Sequence, residues 1–102
     1  MSKILSLDTS TKKTGYAVYN EGRLVHYSSI DKSAIKDGDE RLRAMIKDLA
    51  TLIEREAPDT VVVEETVVTR NPQTQRMLSM ILGAVLGVCV SYNFNYCALR
   101  PT

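Results

Sequence analysis

Three acids close apolar runs in this chain. Asp8 ends the run 3–8 (Lys-Ile-Leu-Ser-Leu-Asp), and Glu64 and Glu65 end the run 60–65 (Thr-Val-Val-Val-Glu-Glu). In open α/β sheets, the carboxyl ends of parallel strands are where sites are built. If the two runs are parallel neighbours, Asp8 meets one of the glutamates at one sheet edge. Two carboxylates held together resist joint ionisation unless a cation lies between them. Hard oxygen donors suit Mg²⁺ or Mn²⁺. Strand alternation forbids both glutamates from facing Asp8 and does not say which one does. The plain alternative is that such acids are simply solvated, or cap the element that follows.

The elements that must position these acids follow from pattern and punctuation. Runs 3–8, 14–20 and 23–30 read as strands, with the tight-turn signal Asn20-Glu21-Gly22 between the last two, and they form an antiparallel meander. Gly15 is small enough for close backbone approach. The period then changes: Leu42, Ile46, Leu49, Ala50 and Ile53 lie on one face of a helix from about Asp39 to Glu56. Asp37 or Asp39 can cap it, and Pro58 lies just beyond its end. The unalternating run 60–65 suggests a strand buried on both faces. Asn71-Pro72 supplies an N-cap and a first-turn proline for a helix reaching about Asn93, and residues 95–99 form a last strand. The order β-β-β-α-β-α-β implies an α/β mixed sheet with a central first strand, the meander on one side and run 60–65 parallel on the other.

Length and composition bound the function. At 102 residues the chain is expected to be one domain, 1–102. Apolar residues make up 44% and charged residues 25%, and 13 basic against 12 acidic residues leave a net charge of +1. Bulk charge therefore argues for neither a nucleic-acid tail nor a membrane face, and any DNA contact has to come from a local patch. Only Cys89 and Cys97 are present, which excludes a disulfide scaffold; both are expected in the core. Nothing before Lys3 could serve as a secretory apolar segment, so the expectation is a reduced, cytoplasmic protein.

From Met77 to Val90 only Ser79, Gly83 and Gly87 are not strongly apolar. Fourteen residues fall short of the roughly 20 that span a bilayer, so no membrane partner is expected. The plain reading is a helix buried on the sheet. The sharper one is that a second stripe, with Leu82, Gly83, Leu86 and Gly87, meets another subunit, because the helix has no polar face after Arg76.

The stretch Ile4-Leu5-Ser6-Leu7-Asp8-Thr9-Ser10-Thr11-Lys12-Lys13-Thr14-Gly15-Tyr16-Ala17-Val18 resembles the opening of RuvC-type Holliday-junction resolvases. Independently, Pro58-Asp59, the valine run, Glu64-Glu65 and Arg70-Asn71 resemble the segment preceding that family's second helix. The resemblance covers essentially the whole chain and implies an RNase H-like fold. It implies that Asp8 and Glu64 are catalytic and hold Mg²⁺ or Mn²⁺; Glu64 is chosen over Glu65 because Asn71 lies seven positions after it. It implies branched DNA as substrate, with phosphodiester hydrolysis assisted by two ions, and a homodimer through the second helix. In the family the remaining ligands lie on a helix after the fifth strand. Arg100-Pro101-Thr102 resembles the link into that part, so the chain looks like the first two-thirds of a resolvase-like domain, truncated before the last helix and expected to be inactive alone.

Lys12, Lys13, Arg70, Asn71 and Arg76 are the candidates for DNA contact near the metal edge, against the plain reading of a solvated surface. His26 is expected to be structural or exposed, and Tyr16, Tyr19 and Tyr27 to pack. A competing resemblance joins Leu7-Asp8-Thr9-Ser10-Thr11 to the first strand and turn of actin-like ATPase folds. These include the non-catalytic partner subunit of a tRNA-modification complex. A third reading is a DNA-binding or scaffold remnant without chemistry.

Overall fold

A computed structural model describes residues 2–64 and 71–99. The chain forms β1 (Lys3–Asp8), β2 (Lys13–Asn20), β3 (Arg23–Asp31), α1 (Gly38–Glu56), β4 (Thr60–Glu64), α2 (Pro72–Tyr92) and β5 (Asn95–Leu99). The strands make one sheet in the order β3-β2-β1-β4-β5. β1 pairs antiparallel with β2 and parallel with β4, and β4 pairs parallel with β5. This is the mixed α/β sheet expected from the sequence, with a central first strand.

Local chemistry explains the boundaries. Glu21 (φ 54°) and Gly22 (φ 79°) form the two-residue turn between β2 and β3, and positive φ at both centres suits the twist of a hairpin. The Asp37 carboxylate accepts the Glu40 N–H at 2.9 Å and caps α1; Asp39 is already inside the helix. Ala57 in the left-handed region ends α1, and Pro58 follows, buried. The Asn71 side chain accepts the N–H groups of Gln73 and Thr74, Pro72 opens α2, and left-handed Asn93 closes it as a cap instead of as its last turn.

One core joins the elements. Leu5 and Leu7 of β1, Val18 of β2, and Val61 and Val63 of β4 turn one sheet face toward Leu42, Met45, Leu49, Leu52 and Ile53 of α1 and Ile81, Val85 and Cys89 of α2. Both helices thus share one face of the sheet. Ile4, Ser6, Ala17, Tyr19, Thr60 and Val62 alternate onto the other face, where no helix lies among the described residues.

Several expectations are corrected. Met45 and Leu52 are core residues of α1, while Ile46 and Ala50 are only half-buried, so the buried face is rotated from the one expected. β4 is buried on one face only: Val61 and Val63 are fully enclosed and Val62 is half-exposed. Cys97 points to the open face and is exposed, unlike Cys89. Tyr27 is 73% exposed and packs on nothing in the core, whereas Tyr16 is half-buried against it. A side chain at Gly15 would meet nothing within 4 Å, so no neighbouring strand presses on it. His26 sits beside Tyr16, with the phenol oxygen 3.4 Å from Nε2.

α2 is 21 residues and, by length and composition, apolar enough to cross a membrane, longer than the Met77–Val90 run alone suggests. Its place in the fold argues otherwise. It is the crossover between the parallel neighbours β4 and β5 and runs alongside the sheet they form. A helix spanning a bilayer here would drag hydrogen-bonded sheet through the hydrocarbon with it, open edges included.

At the amino end of β1, Lys3 Nζ lies 3.2 Å from Glu56 Oε1, and Arg55 Nε lies 3.3 Å from Glu56 Oε2. Burial pushes the Glu56 carboxyl up, but Lys3 and then Arg55 outweigh it and hold it below the usual glutamate range. A lowered folded value stabilises the fold above the unfolded pKa, near 4.3, and that contribution fades as pH falls through the folded value. Glu56→Gln is therefore expected to cost about 0.5–1 kcal/mol at pH 7. The gap should close progressively below about pH 4. Urea unfolding of both proteins across pH 2.5–7 checks it; a gap undiminished in acid would contradict the assignment.

Candidate active site

Asp8 and Glu64 are register partners across the parallel pair β1–β4. Neighbouring strands lie about 4.8 Å apart, and in-register residues project to the same face. The residues just before them, Leu7 and Val63, are fully buried against the helices. Asp8 and Glu64 therefore project to the open face, both exposed, at the carboxyl edge of the sheet. Glu65 and Arg70 lie outside the described residues, as do Arg100, Pro101 and Thr102.

The turn after Asp8 is built by hydroxyls. Thr9 and Thr14 are buried. Thr14 Oγ1 accepts the Ser10 N–H and donates to the Ser10 carbonyl, each at 3.3 Å, closing the turn on itself. Ser10 Oγ accepts the Lys12 N–H, and the Lys12 carbonyl accepts the Lys32 N–H at 2.7 Å, tying the turn to the end of β3. Lys12 and Lys13 are thereby held exposed at the edge that carries Asp8. The role of Thr14 as the clasp was not singled out from the sequence. Its signal is a hydroxyl four residues after Ser10, at the start of a strand.

Across β2, Gly15 is the partner of Asp8, so no side chain stands beside that carboxylate on this flank. On the other flank Leu99 is the partner of Glu64. Asp31, at the same edge on β3, is already engaged: its carboxylate accepts the Ser33 N–H at 2.9 Å and the Ser33 hydroxyl at 2.6 Å. Those bonds, the side-chain one first, hold it below the usual aspartate range.

α2 begins at the same edge, with Asn71 exposed at its cap. Arg76, one turn further, lines a groove of about 420 Å³ between the starts of the two helices, opposite Asp37 and Asp39. Gly83, Leu86 and Gly87 lie on the exposed side of α2 with Met80 and Val90. Leu82 does not join them: it is half-buried and packs on the core of its own chain.

Two exposed oxygen donors in register, with an unobstructed flank, fit part of a magnesium site, which commonly takes one or two carboxylates and completes its shell with water and phosphate oxygens. Among the described residues no three Asp, Glu, His or Cys side chains come together to hold an ion. Asp8 and Glu64 would hold one weakly. Titrating Mn²⁺ into labelled protein is expected to broaden amide signals around Asp8 and Glu64 at millimolar ion. Asp8→Asn should weaken the effect at least tenfold; broadening centred elsewhere would contradict the site.

The family model described as crossover junction endodeoxyribonuclease RuvC matches residues 4–99. Among curated proteins of that name, the one from Geotalea uraniireducens is 36% identical, the match covering 96% of this chain and 61% of the relative. The one from Marinobacter nauticus is 33% identical over 84% of this chain and 51% of its own length. The chain thus spans little more than half the length of the curated relatives it matches. Among solved structures, T. thermophilus RuvC in complex with a Holliday junction substrate superposes with a TM-score of 0.81 at 21% identity, over 99% of this chain and 66% of that one. The yeast mitochondrial Holliday junction resolvase Ydc2 gives 0.69 at 17%, over 98% and 51%. YeaZ from Pseudomonas aeruginosa gives 0.54 at 24%, over 98% and 44%. The fold is common to proteins of several kinds, and the family match separates them.

Proposed function

This chain belongs to the crossover junction endodeoxyribonuclease RuvC family, and on that premise we propose that it supplies the Asp8–Glu64 half of a divalent-metal-dependent endonuclease that cuts branched DNA. The observation that carries the reading is the register partnership of Asp8 and Glu64 at the carboxyl edge of the central parallel pair. Those two side chains would hold Mg²⁺ or Mn²⁺. The chemistry such ions supply is neutralisation of phosphate charge and activation of water.

The chain's own contribution is binding and orientation. Lys12 and Lys13, exposed on the clasped turn beside Asp8, suit contact with backbone phosphates without reading sequence. Asn71 and Arg70 are the matching candidates at the start of α2, and Arg76 a further one. The missing side chain at Gly15 leaves the flank of Asp8 open, among the described residues, to a deoxyribose-phosphate backbone. Work on branched DNA fits a cytoplasmic protein.

The second partner we propose is another copy of this chain. Met80, Leu86 and Val90 are 46%, 44% and 67% exposed, an apolar stripe on a helix whose other side is buried. Gly83 and Gly87 lie within it, and a side chain at either would meet nothing within 4 Å. Each mid-helix glycine costs about 1 kcal/mol relative to alanine, and nothing among the described residues makes use of the space. Close approach of a partner helix about a two-fold axis would use it.

Mg²⁺-dependent cleavage of a four-way junction tests the activity. The 102-residue chain is expected to leave the junction intact. Joined to the remaining part of a RuvC relative it should cut, and Asp8→Asn or Glu64→Gln should lower that rate about 100-fold or more. Rapid cutting by the 102-residue chain, lost in Asp8→Asn, would show that two carboxylates suffice. Leu86→Asp should shift a dimer to monomer in analytical ultracentrifugation at micromolar concentration, and a wild-type monomer at high micromolar concentration would refute the interface.

A further inference from the structure

The valine run that carries Glu64 does not define its own register. A strand's register is normally fixed by which residues are apolar, because a slip of one position turns every side chain to the other face. Here Val61, Val62 and Val63 are the same residue. In the observed register Leu5 faces Val61 and Leu7 faces Val63. A slip of one residue would put Asp8 beside Val63 and turn Thr60 and Val62 toward the helices. Thr and Val have nearly the same shape, so packing volume alone distinguishes the two arrangements poorly, and the core opposes the slip through the Thr60 hydroxyl it would bring inward. Glu64 would then lie one position past Asp8, facing the helices. The opposite slip also turns Glu64 toward the helices, in place of Val63, whereas the first would set it opposite Thr9, itself buried; burial of a charge opposes both.

A second check on the first slip, independent of the valines, lies at the far end of the strand. The Asp59 N–H donates to the Lys3 carbonyl at 2.9 Å. The Asp59 carboxylate accepts the Lys3 N–H at 2.7 Å across 56 residues of sequence. The Asp59 carbonyl in turn accepts the Asn95 N–H at 2.9 Å, bringing β5 into the same alignment. In the slipped register Pro58 would stand opposite Lys3. Proline has no N–H to give the Lys3 carbonyl and no side-chain oxygen to accept the Lys3 N–H as the Asp59 carboxylate does. Pro58-Asp59 therefore accepts one alignment of β4 on β1 and refuses its nearest competitor.

We propose that Asp59 is a positioning residue for the candidate active site: its two-point clamp on Lys3 sets the β1–β4 register and so selects Glu64 as the acid opposite Asp8. The functional half of this proposal rests on Asp8 and Glu64 being the metal pair; the structural half does not. Asp59 touches neither the ion nor DNA and acts only through the strand it anchors.

Nuclear Overhauser contacts across β1–β4 read the register directly, and Mn²⁺ broadening at Asp8 reads its consequence. In Asp59→Ala we expect a second contact set, with Asp8 beside Val63, in about two-thirds or more of the molecules, and Mn²⁺ affinity correspondingly lowered at least threefold. Asp59→Asn, which keeps an acceptor oxygen, should restore both to within twofold of wild type. Glu56→Gln, which removes an ion pair at the same end of β1, should lower stability while leaving contacts and affinity unchanged. Asp59→Ala folded with the wild-type contact set alone and unchanged affinity would overturn the proposal. Should Asp59→Ala fail to fold, Asp59→Ser, whose oxygen is too short for the clamp, is judged by the same two outcomes. If the wild-type chain shows no broadening at Asp8 and Glu64, the metal reading fails, and the contact pattern still decides the role of Asp59.

Discussion

The parallel pairing of β1 with β4 is the constraint on which the rest of the molecule hangs. Its two central pairs, Leu5 with Val61 and Leu7 with Val63, have no exposed surface. Burying each such side chain is worth about 1.5–3 kcal/mol. Both helices pack on these residues, the meander attaches to β1, and β5 attaches to β4. The pairs also orient the site. Because alternate residues of a strand point to opposite faces, enclosing Leu7 and Val63 obliges Asp8 and Glu64 to face out together. A pair of carboxylates gains rigid support from below without any loss of access from above.

How much of this was legible in the sequence depended on whether the cause was local. Strand and helix limits were readable because caps and turns act within a few residues: Asp37, Asn71, Pro58 and the Glu21-Gly22 turn lie where their chemistry requires. The carboxylate edge was readable because two apolar runs end in acids. The buried face of α1 was misread because the helix rests on the sheet and on α2 at once. That wide contact takes in Met45 and Leu52, and no single repeat of apolar residues sets its angle. Tyr27 and Cys97 were placed inside on residue type, yet they lie on the sheet face that no helix among the described residues covers. Leu82 was grouped with Gly83 by adjacency, although one residue is 100° of helix rotation and takes it from the exposed stripe to the core. Strand alternation left Glu64 and Glu65 open, the resemblance chose Glu64 by its spacing to Asn71, and the register, a tertiary fact, sets Glu64 opposite Asp8.

Charge is organised locally, consistent with a chain that is nearly neutral overall. Lys32 pairs with Asp48, Arg43 with Asp39, and Lys3 with Glu56. Lys12 and Lys13 sit beyond these pairs, on the turn next to Asp8. A bulk count of 13 basic and 12 acidic residues conceals this, since paired groups contribute little to the field a phosphate would feel.

The long span between the two halves of β1–β4 has a kinetic side. The β2–β3 hairpin closes over two residues and belongs to the class of structure that forms in microseconds. Lys3 and Asp59 are 56 residues apart, and every β1–β4 pair shares that separation. Joining them carries the entropy of closing a loop that contains the whole meander and α1. A chain emerging from the ribosome therefore holds Asp8 long before Glu64 can be brought beside it, and the carboxylate pair comes into being only when β4 docks on β1. Until then the partly folded chain carries Asp8 without its register partner.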